Sequence, residues 1–460
     1  MLYQLLRSAA RVALRWYYSE VIIQGRARIP ARGPVLIVAN HPNALVDAML
    51  VAASVDRRVL LTAKATLFEN PVLALLLGAV GVVPLRRAKD EGDALRSGAA
   101  ASRNDDAFRM VTEAFRQNRV VLVFPEGISH DEPSLAQLKS GAARMVLGAR
   151  DAGVHGLHIL PIGLVFEEKE RPRSRVLVRM GESLDVDAWC ASRTASDAGS
   201  LTREIDARLR RVTLNFATAD SASRAVRVAR ALSALAEEPA SVGEGENFVS
   251  QAELAARVES ATEALTTAPA SLMSATDDFT ARLDALETDL TNRGIAPADF
   301  RISLRARHGV RFVVREGALS LLALPIALLG RVAHWLPIRI ARILALRSPG
   351  SQFSRDQPAM RTIVLGLAAL LLWYAVLAVL ISRQLGGIAT VLGLFVLFAA
   401  AQVDLLLEDR LTRVWRRART YLVLRGDQNL RSRLSLQINA LLAEAGALEQ
   451  ALLREREANL

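Results

Sequence analysis

Between residues 34 and 183, short apolar runs alternate with stretches of helical spacing. PVLIVAN (34–40), RVLLTAK (58–64), GVVPLRR (81–87), VVLVFPEG (120–127), HILPIGLVF (158–166) and RVLVRMGES (175–183) each close on a polar or glycine-bearing turn, as buried strands do. Segments 43–54, 71–80, 105–118 and 138–153 between them read as helices, with Asn43 placed to cap the first. Strands alternating with helices predict an α/β domain over residues 21–200, with a largely parallel sheet flanked by helices.

Residues 1–20 predict an amphipathic N-terminal helix. Leu5, Ala9, Val12 and Trp16 share one face, and Arg7, Arg11 and Arg15 the opposite one. These arginines interrupt any signal-peptide core. Two readings stand side by side: a helix in the membrane interface with its arginines toward lipid phosphates, or one packed on the domain's own core.

Residues 201–310 predict a helical region. Leu201, Ile205, Leu209, Val212 and Phe216 keep helical spacing, as do Phe279, Leu283, Leu286 and Leu290, with a linker composition near 237–247. Residues 311–425 read as a membrane region. Segments 362–382 and 385–403 carry no charge over lengths that span a bilayer, so a transmembrane hairpin is expected. Segment 318–336 is interrupted by Pro325, Arg331 and His334 and is expected to be re-entrant or interfacial. Arg355, Arg361, Arg410, Arg413, Arg416 and Arg417 flank the hairpin, whose turn carries only Arg383; the positive-inside rule then puts both outer ends in the cytoplasm. Residues 426–460 predict a C-terminal cytoplasmic helix.

Composition narrows the class. With 51% hydrophobic residues among 460, the chain has material for a core and for lipid contact. The net charge of +11 suits anionic lipid, an anionic substrate or nucleic acid. With 5% aromatic residues and no zinc-finger spacing, lipid is favoured and no nucleic-acid partner is expected. The one cysteine, Cys190, makes neither an internal disulfide nor a metal pair, and no metal is expected.

Four segments carry candidate chemistry, each at a strand end or in the turn after it: NHPNALVD (40–47), GVVPLRR (81–87), FPEGISH (124–130) and ILPIG (159–163). The carboxyl ends of strands are where α/β sheets build sites. In this order the segments resemble the glycerophospholipid acyltransferase family, over roughly residues 20–190, and most closely its yeast-type glycerol-3-phosphate acyltransferase branch. The resemblance implies the glycerolipid acyltransferase fold. It also implies an integral protein of the cytoplasmic membrane, with its catalytic domain on the cytoplasmic face. The implied reaction moves a fatty acyl group from acyl-CoA or acyl carrier protein to a glycerol phosphate or 1-acylglycerol 3-phosphate. No cofactor is needed beyond the thioester donor.

Residue by residue, the resemblance makes His41 and Asp47 catalytic. A histidine can take the hydroxyl proton as the oxygen attacks the thioester, and an aspartate on its other nitrogen fixes the tautomer. Five residues separate the pair, where most of the family has four. Arg87 and Lys64 are implied phosphate contacts. Glu126 and Gly127 are expected to hold the acceptor, with Gly127 N–H also available to an oxyanion. Where the family continues with Thr-Arg, this chain has Ile128-Ser129, so Ser129, His130 and Lys139 are expected to compensate. Pro125 and Pro161 complete the motifs. A serine hydrolase is disfavoured, since no Gly-x-Ser-x-Gly occurs. A non-enzymatic membrane scaffold with a degenerate domain, or an enzyme for another lysophospholipid, are the remaining alternatives.

Overall fold

A computed structural model describes residues 2–65, 69, 78, 81–85, 99–193, 196–236, 244–265, 268–300, 306–347 and 358–458. The chain divides into two units. One holds Met1–Asn215 with a short segment ending at Ile363, and the other Phe216–Ser348 with Val364–Leu460. The division falls after Asn215 rather than after residue 200. Leu201 and Ile205 are buried in the first unit's core, which keeps their helix there.

The first unit is built from α1 (Leu2–Tyr17), β1 (Glu20–Gln24), β2 (Val35–Ala39), α2 (Ala44–Ser54), β3 (Val59–Lys64), β4 (Val83–Leu85), α3 (Ala99–Arg116), β5 (Val120–Val123), α4 (Gly141–Asp151), β6 (His158–Phe166), β7 (Arg175–Met180), β8 (Leu184–Asp185), α5 (Val186–Ala191) and α6 (Ala198–Arg210). The sheet runs β1-β7-β6-β2-β5-β3-β4, with β8 on β6. Strands β6, β2, β5, β3 and β4 pair in parallel. Strands β7 and β8 run antiparallel to β6, and β1 runs parallel to β7. The expected α/β fold with a largely parallel sheet is therefore present, and β1, which the apolar pattern did not reveal, adds an edge strand.

Every residue of β2 and β5 is buried. Leu36, Val38, Val121 and Val123 face a core that includes α3, α4, α5 and α6. Val35, Ile37, Val120 and Leu122 face the opposite core, which includes α1 and α2. Burial on both faces is why these strands read as continuous apolar runs. Pro161 lies inside β6, where a missing N–H would ordinarily break a ladder. It falls between the residues paired to β8 (158–159) and those paired to β7 (162–166), so that edge asks no donor of it.

Helix α1 packs on its own domain. Tyr3, Leu14 and Tyr17 are buried. Arg7 and Arg11 point inward, not toward lipid: Arg7 donates to the Val55 carbonyl and to the Asp56 carbonyl at 3.1 Å, and Arg11 to the Ala53 carbonyl at 3.0 Å. They satisfy carbonyls at the end of α2, where cations are favoured. Leu5 and Val12 stay exposed on the other side.

The second unit is helical: α7 (Ala219–Ala236), α8 (Glu244–Leu265), α9 (Ala270–Arg293), α10 (Ala306–Arg347), α11 (Pro358–Gly426) and α12 (Gln428–Ala458). Phe279, Leu283, Leu286 and Leu290 of α9 pack against Leu430, Leu434 and Ile438 of α12 and Leu232 and Leu235 of α7. Part of the expected linker, residues 237–243, lies outside the described residues, and 244–247 already belong to α8. Helix α11 is interrupted at Gly386 (φ 81°), near the junction of the two apolar segments 362–382 and 385–403.

Segment 318–336 forms no re-entrant turn. It lies within the continuous α10, which passes through both Pro325 and Pro337. Gly330 lets α10 approach α11 closely: a Cβ there would collide with the Ala400 carbonyl. Two helical stretches, Gly309–Leu344 and Arg361–Gly426, are long and apolar enough to cross a membrane.

Candidate active site

Two of the four motifs meet because of strand pairing. Val38 of β2 pairs with Val123 of β5, so NHPNALVD and FPEGISH leave the carboxyl ends of neighbouring parallel strands. Asn40 fixes the first departure. Its amide donates to the Leu164 carbonyl at 3.0 Å and accepts from the Leu164 N–H at 2.7 Å, continuing the β2–β6 ladder through a side chain.

The turn then presents His41 to Asp47. His41 Nδ1 lies 2.9 Å from Asp47 Oδ2, which also accepts the Asn43 N–H at 2.7 Å. An oxygen already accepting one N–H is an acceptor for the imidazole too. Nδ1 therefore carries the proton and Nε2 the lone pair. Nε2 has no protein partner among the described residues, and the side chain is 13% exposed. The ring stacks on Phe124 at 3.8 Å between centroids and 9° between planes. Asp47 is fully buried, and Oδ1 has no hydrogen-bond partner among the described residues. Burial pushes the Asp47 carboxyl above the ordinary carboxylate range, and the His41 bond pulls against that rise.

Asn43 stands at the N-cap position, but its side chain makes no cap. It donates to the Tyr18 hydroxyl at 3.2 Å, while the Asp47 carboxylate takes its backbone N–H. The unusual spacing of His41 and Asp47 is closed by Ala44, whose φ of 45° puts a non-glycine residue in the left-handed region. Such a conformation costs an L-residue about 1–2 kcal/mol. Ala44→Gly should therefore leave stability unchanged or raised, whereas Ala44→Val should destabilise by about 1–3 kcal/mol. Denaturant unfolding of the two variants measures this; equal midpoints would mean the turn is unstrained.

The third motif is bound to the first along its length. Glu126 is buried. Its Oε1 accepts the His41 N–H at 2.8 Å, and its Oε2 accepts the Ala136 N–H at 2.9 Å and contacts His130 Nε2. His130 Nδ1 accepts the Glu132 N–H at 3.2 Å, so His130 donates to Glu126 from Nε2 as a neutral imidazole. The His130 N–H reaches the His41 carbonyl at 3.3 Å, and Ser129 Oγ accepts the Ala44 N–H at 3.1 Å.

These contacts occupy groups that were expected to meet the substrate. Both oxygens of Glu126 are engaged with protein, so in this state they are not available to an acceptor. Ser129 and His130 hold the His41 turn. The Gly127 N–H donates to the Phe124 carbonyl at 3.1 Å and is not free for an oxyanion.

Gly127 is required chiefly by its backbone conformation. Its φ is 74°, and a Cβ would lie 2.7 Å from Lys139 Nζ, whose stem crosses it. Lys139 is exposed, and its own N–H donates to the carbonyl of buried Pro125 at 2.9 Å. Its ammonium has no acceptor among the described residues. Lys64 closes β3 on the same carboxyl edge. Arg87, and the helix expected at 71–80 apart from residue 78, lie outside the described residues.

One residue near the pair escaped the motifs altogether. Lys169, in the turn after β6, donates to the Pro42 carbonyl at 3.3 Å and pairs with Asp131. No local signal marks it, since only the fold brings that turn to His41.

Neighbouring strands of the sheet thus deliver a hydrogen-bonded His–Asp pair, its Asp buried, and a Phe-Pro-Glu-Gly turn. Residues 20–165 match the acyltransferase family model, and this part of the chain is an acyltransferase-family domain. The chain is 27% identical over 175 residues to glycerol-3-phosphate O-acyltransferase 2 of Saccharomyces cerevisiae, covering 36% of this chain and 22% of that protein. It is 25% identical over 160 residues to 1-acyl-sn-glycerol-3-phosphate acyltransferase of Borreliella burgdorferi, covering 35% and 57% respectively. A solved structure of the 1-acyl-sn-glycerophosphate acyltransferase PlsC from Thermotoga maritima aligns with a TM-score of 0.35 at 20% identity, over 46% of this chain and 78% of that one. The match thus spans less than two thirds of the length of either curated relative.

Proposed function

We propose that the protein transfers a fatty acyl group from a thioester, acyl-CoA or acyl carrier protein, to a hydroxyl of glycerol 3-phosphate or 1-acylglycerol 3-phosphate. The observation that carries this reading is the buried His41–Asp47 pair, with Nδ1–H held and Nε2 open. Nε2 takes the acceptor's hydroxyl proton as the oxygen attacks the thioester carbonyl. The tetrahedral intermediate then expels the thiolate, which takes up the proton. Asp47 steadies the imidazolium in between. The substrate hydroxyl stands where a protease would use serine, so neither a covalent enzyme intermediate nor a cofactor enters the reaction. Lys139, with Arg87 and Lys64, supplies positive charge for the acceptor's phosphate. The names of both curated relatives support this substrate class.

The test is an acceptor panel with the detergent-purified protein and a labelled acyl thioester. Glycerol 3-phosphate, 1-acylglycerol 3-phosphate and neutral-head lysolipids are compared. Product from a phosphorylated acceptor is expected, and Lys139→Ala should raise that acceptor's KM more than it lowers kcat. Product only from neutral-head lysolipids would redirect the reading to another lysophospholipid. No product from any acceptor would favour a scaffold.

The protein is further proposed to be embedded in the cytoplasmic membrane through α11, with α10 beside it. In support, Leu371, Leu372, Ile388, Val391 and Phe395 on apolar helices are all exposed, a surface that calls for lipid. The flanking arginines favour cytoplasmic ends for the hairpin. Carbonate washing should leave the chain in the membrane pellet; its release would rule out spanning helices.

A further inference from the structure

We propose that Lys169, outside all four motifs, is a positioning residue for acyl transfer: it fastens the turn that bears His41 to the loop after Gly127 and places a cation beside the His41–Asp47 pair. The inference rests on the proposed role of His41 as general base.

The geometry is a two-sided clamp. Nζ donates at 3.3 Å to the Pro42 carbonyl, in the peptide between Pro42 and Asn43, one residue on from His41. The same ammonium pairs with Asp131, adjacent to His130, whose N–H reaches the His41 carbonyl. Lys169 is largely buried, with 21% of its side chain exposed. An ammonium in that setting persists only where acceptors hold it. It arrives from the turn between β6 and β7, so it joins a third strand's connection to the loops after β2 and β5. A shift of about 1 Å in a catalytic group costs on the order of 10²-fold in rate. The clamp acts on the segment where such a shift would arise.

The charge matters as well. The groups facing the Asp47 carboxylate are His41, the Asn43 N–H, Tyr18 and Lys169. Facing His41 are Asp47, the stacked Phe124, the Glu126 carboxylate on its N–H and, through its backbone, His130. Lys169 is thus a permanent cation acting on the Asp47 carboxylate. It favours the ionised form of the fully buried Asp47 carboxylate.

The experiment uses the full-length protein in detergent, with kcat and both KM values followed across pH. Lys169→Met should lower kcat by about 10–100-fold with acceptor KM little changed. It should also move the acidic limb of the kcat/KM profile up, because the buried Asp47 carboxylate, no longer facing a cation, takes up its proton at higher pH. Lys169→Arg should restore the limb and most of the rate. Asp131→Asn removes a negative charge from the same cluster and should move the limb the other way. A role in folding alone would lower the active fraction and leave the limb where it was.

The proposal is overturned if Lys169→Met keeps kcat within about threefold or lowers it without moving the limb. It is also overturned if acceptor KM rises while kcat holds, since Lys169 would then be a phosphate ligand. Should Lys169→Met fail to fold, an unmoved limb in Asp131→Asn overturns it. His41→Ala separates the two levels: an active His41→Ala removes the general-base reading, whereas an inactive one beside a normal Lys169→Met removes only the role of Lys169.

Discussion

Replacing His41 with alanine should reduce acyl transfer by about 10²–10⁴-fold while the domain stays folded. Among the described residues, His130 is the other histidine at the motifs, and it is not placed to serve as base. His130 donates to Glu126 from Nε2 and accepts from Glu132 at Nδ1, so neither nitrogen is open. The backbone bonds that anchor position 41, its N–H to Glu126 and its carbonyl from His130, do not depend on the side chain. What alanine removes is the stack on Phe124 and one of the two donors to buried Asp47. Asp47 should then take up a proton more readily. His41→Gln, which can keep a donor near Asp47, should be as inactive but more stable than His41→Ala. Turnover of a labelled thioester, with unfolding midpoints for both variants, checks the two statements together. Residual activity within about tenfold of the parent would mean the base lies elsewhere.

The sequence was informative where burial and period coincide. Strands β2 and β5 read as apolar runs because helices cover both sheet faces, and the motifs at their ends followed from position alone. Sequence order could not reveal that these two strands are neighbours, so the bond from the His41 N–H to Glu126 was invisible, and Glu126 read as a ligand. Ala44 carries no mark of its left-handed backbone, because alanine is not a residue chosen for it. In α1 the helical wheel separated arginines from apolar residues but left two readings open, a helix in the membrane interface or one packed on its own domain. The open carbonyls ending α2 draw Arg7 and Arg11 inward. In 318–336, proline read as a break, yet α10 continues through it. Apolar helices tolerate proline when neighbours resatisfy the backbone.

Asp47→Asn should lower kcat by about 10²-fold and, unlike most active-site changes, stabilise the fold at neutral pH. In a Ser-His-Asp triad the same change costs about 10⁴-fold, because asparagine can turn its amide toward histidine and impose the wrong tautomer. Here the Asn43 N–H points at the same oxygen that receives His41 Nδ1. An amide nitrogen in that place would meet a donor, so asparagine should keep its carbonyl there and the tautomer should survive. The loss is then one of charge, the failure to steady an imidazolium. Stability follows from the carboxyl's burial, which raises its folded pKa above the unfolded value. With that sign the native state binds more protons, and stability of the parent falls as pH rises from about 4 through the folded pKa. Asparagine does not titrate, so its advantage should be small near pH 4 and grow toward pH 8. Denaturant unfolding at several pH values reads this directly. A gap that does not widen with pH would mean Asp47 is not strained by burial. A loss of about 10⁴-fold in kcat would mean that the Asn43 N–H fails to hold the tautomer.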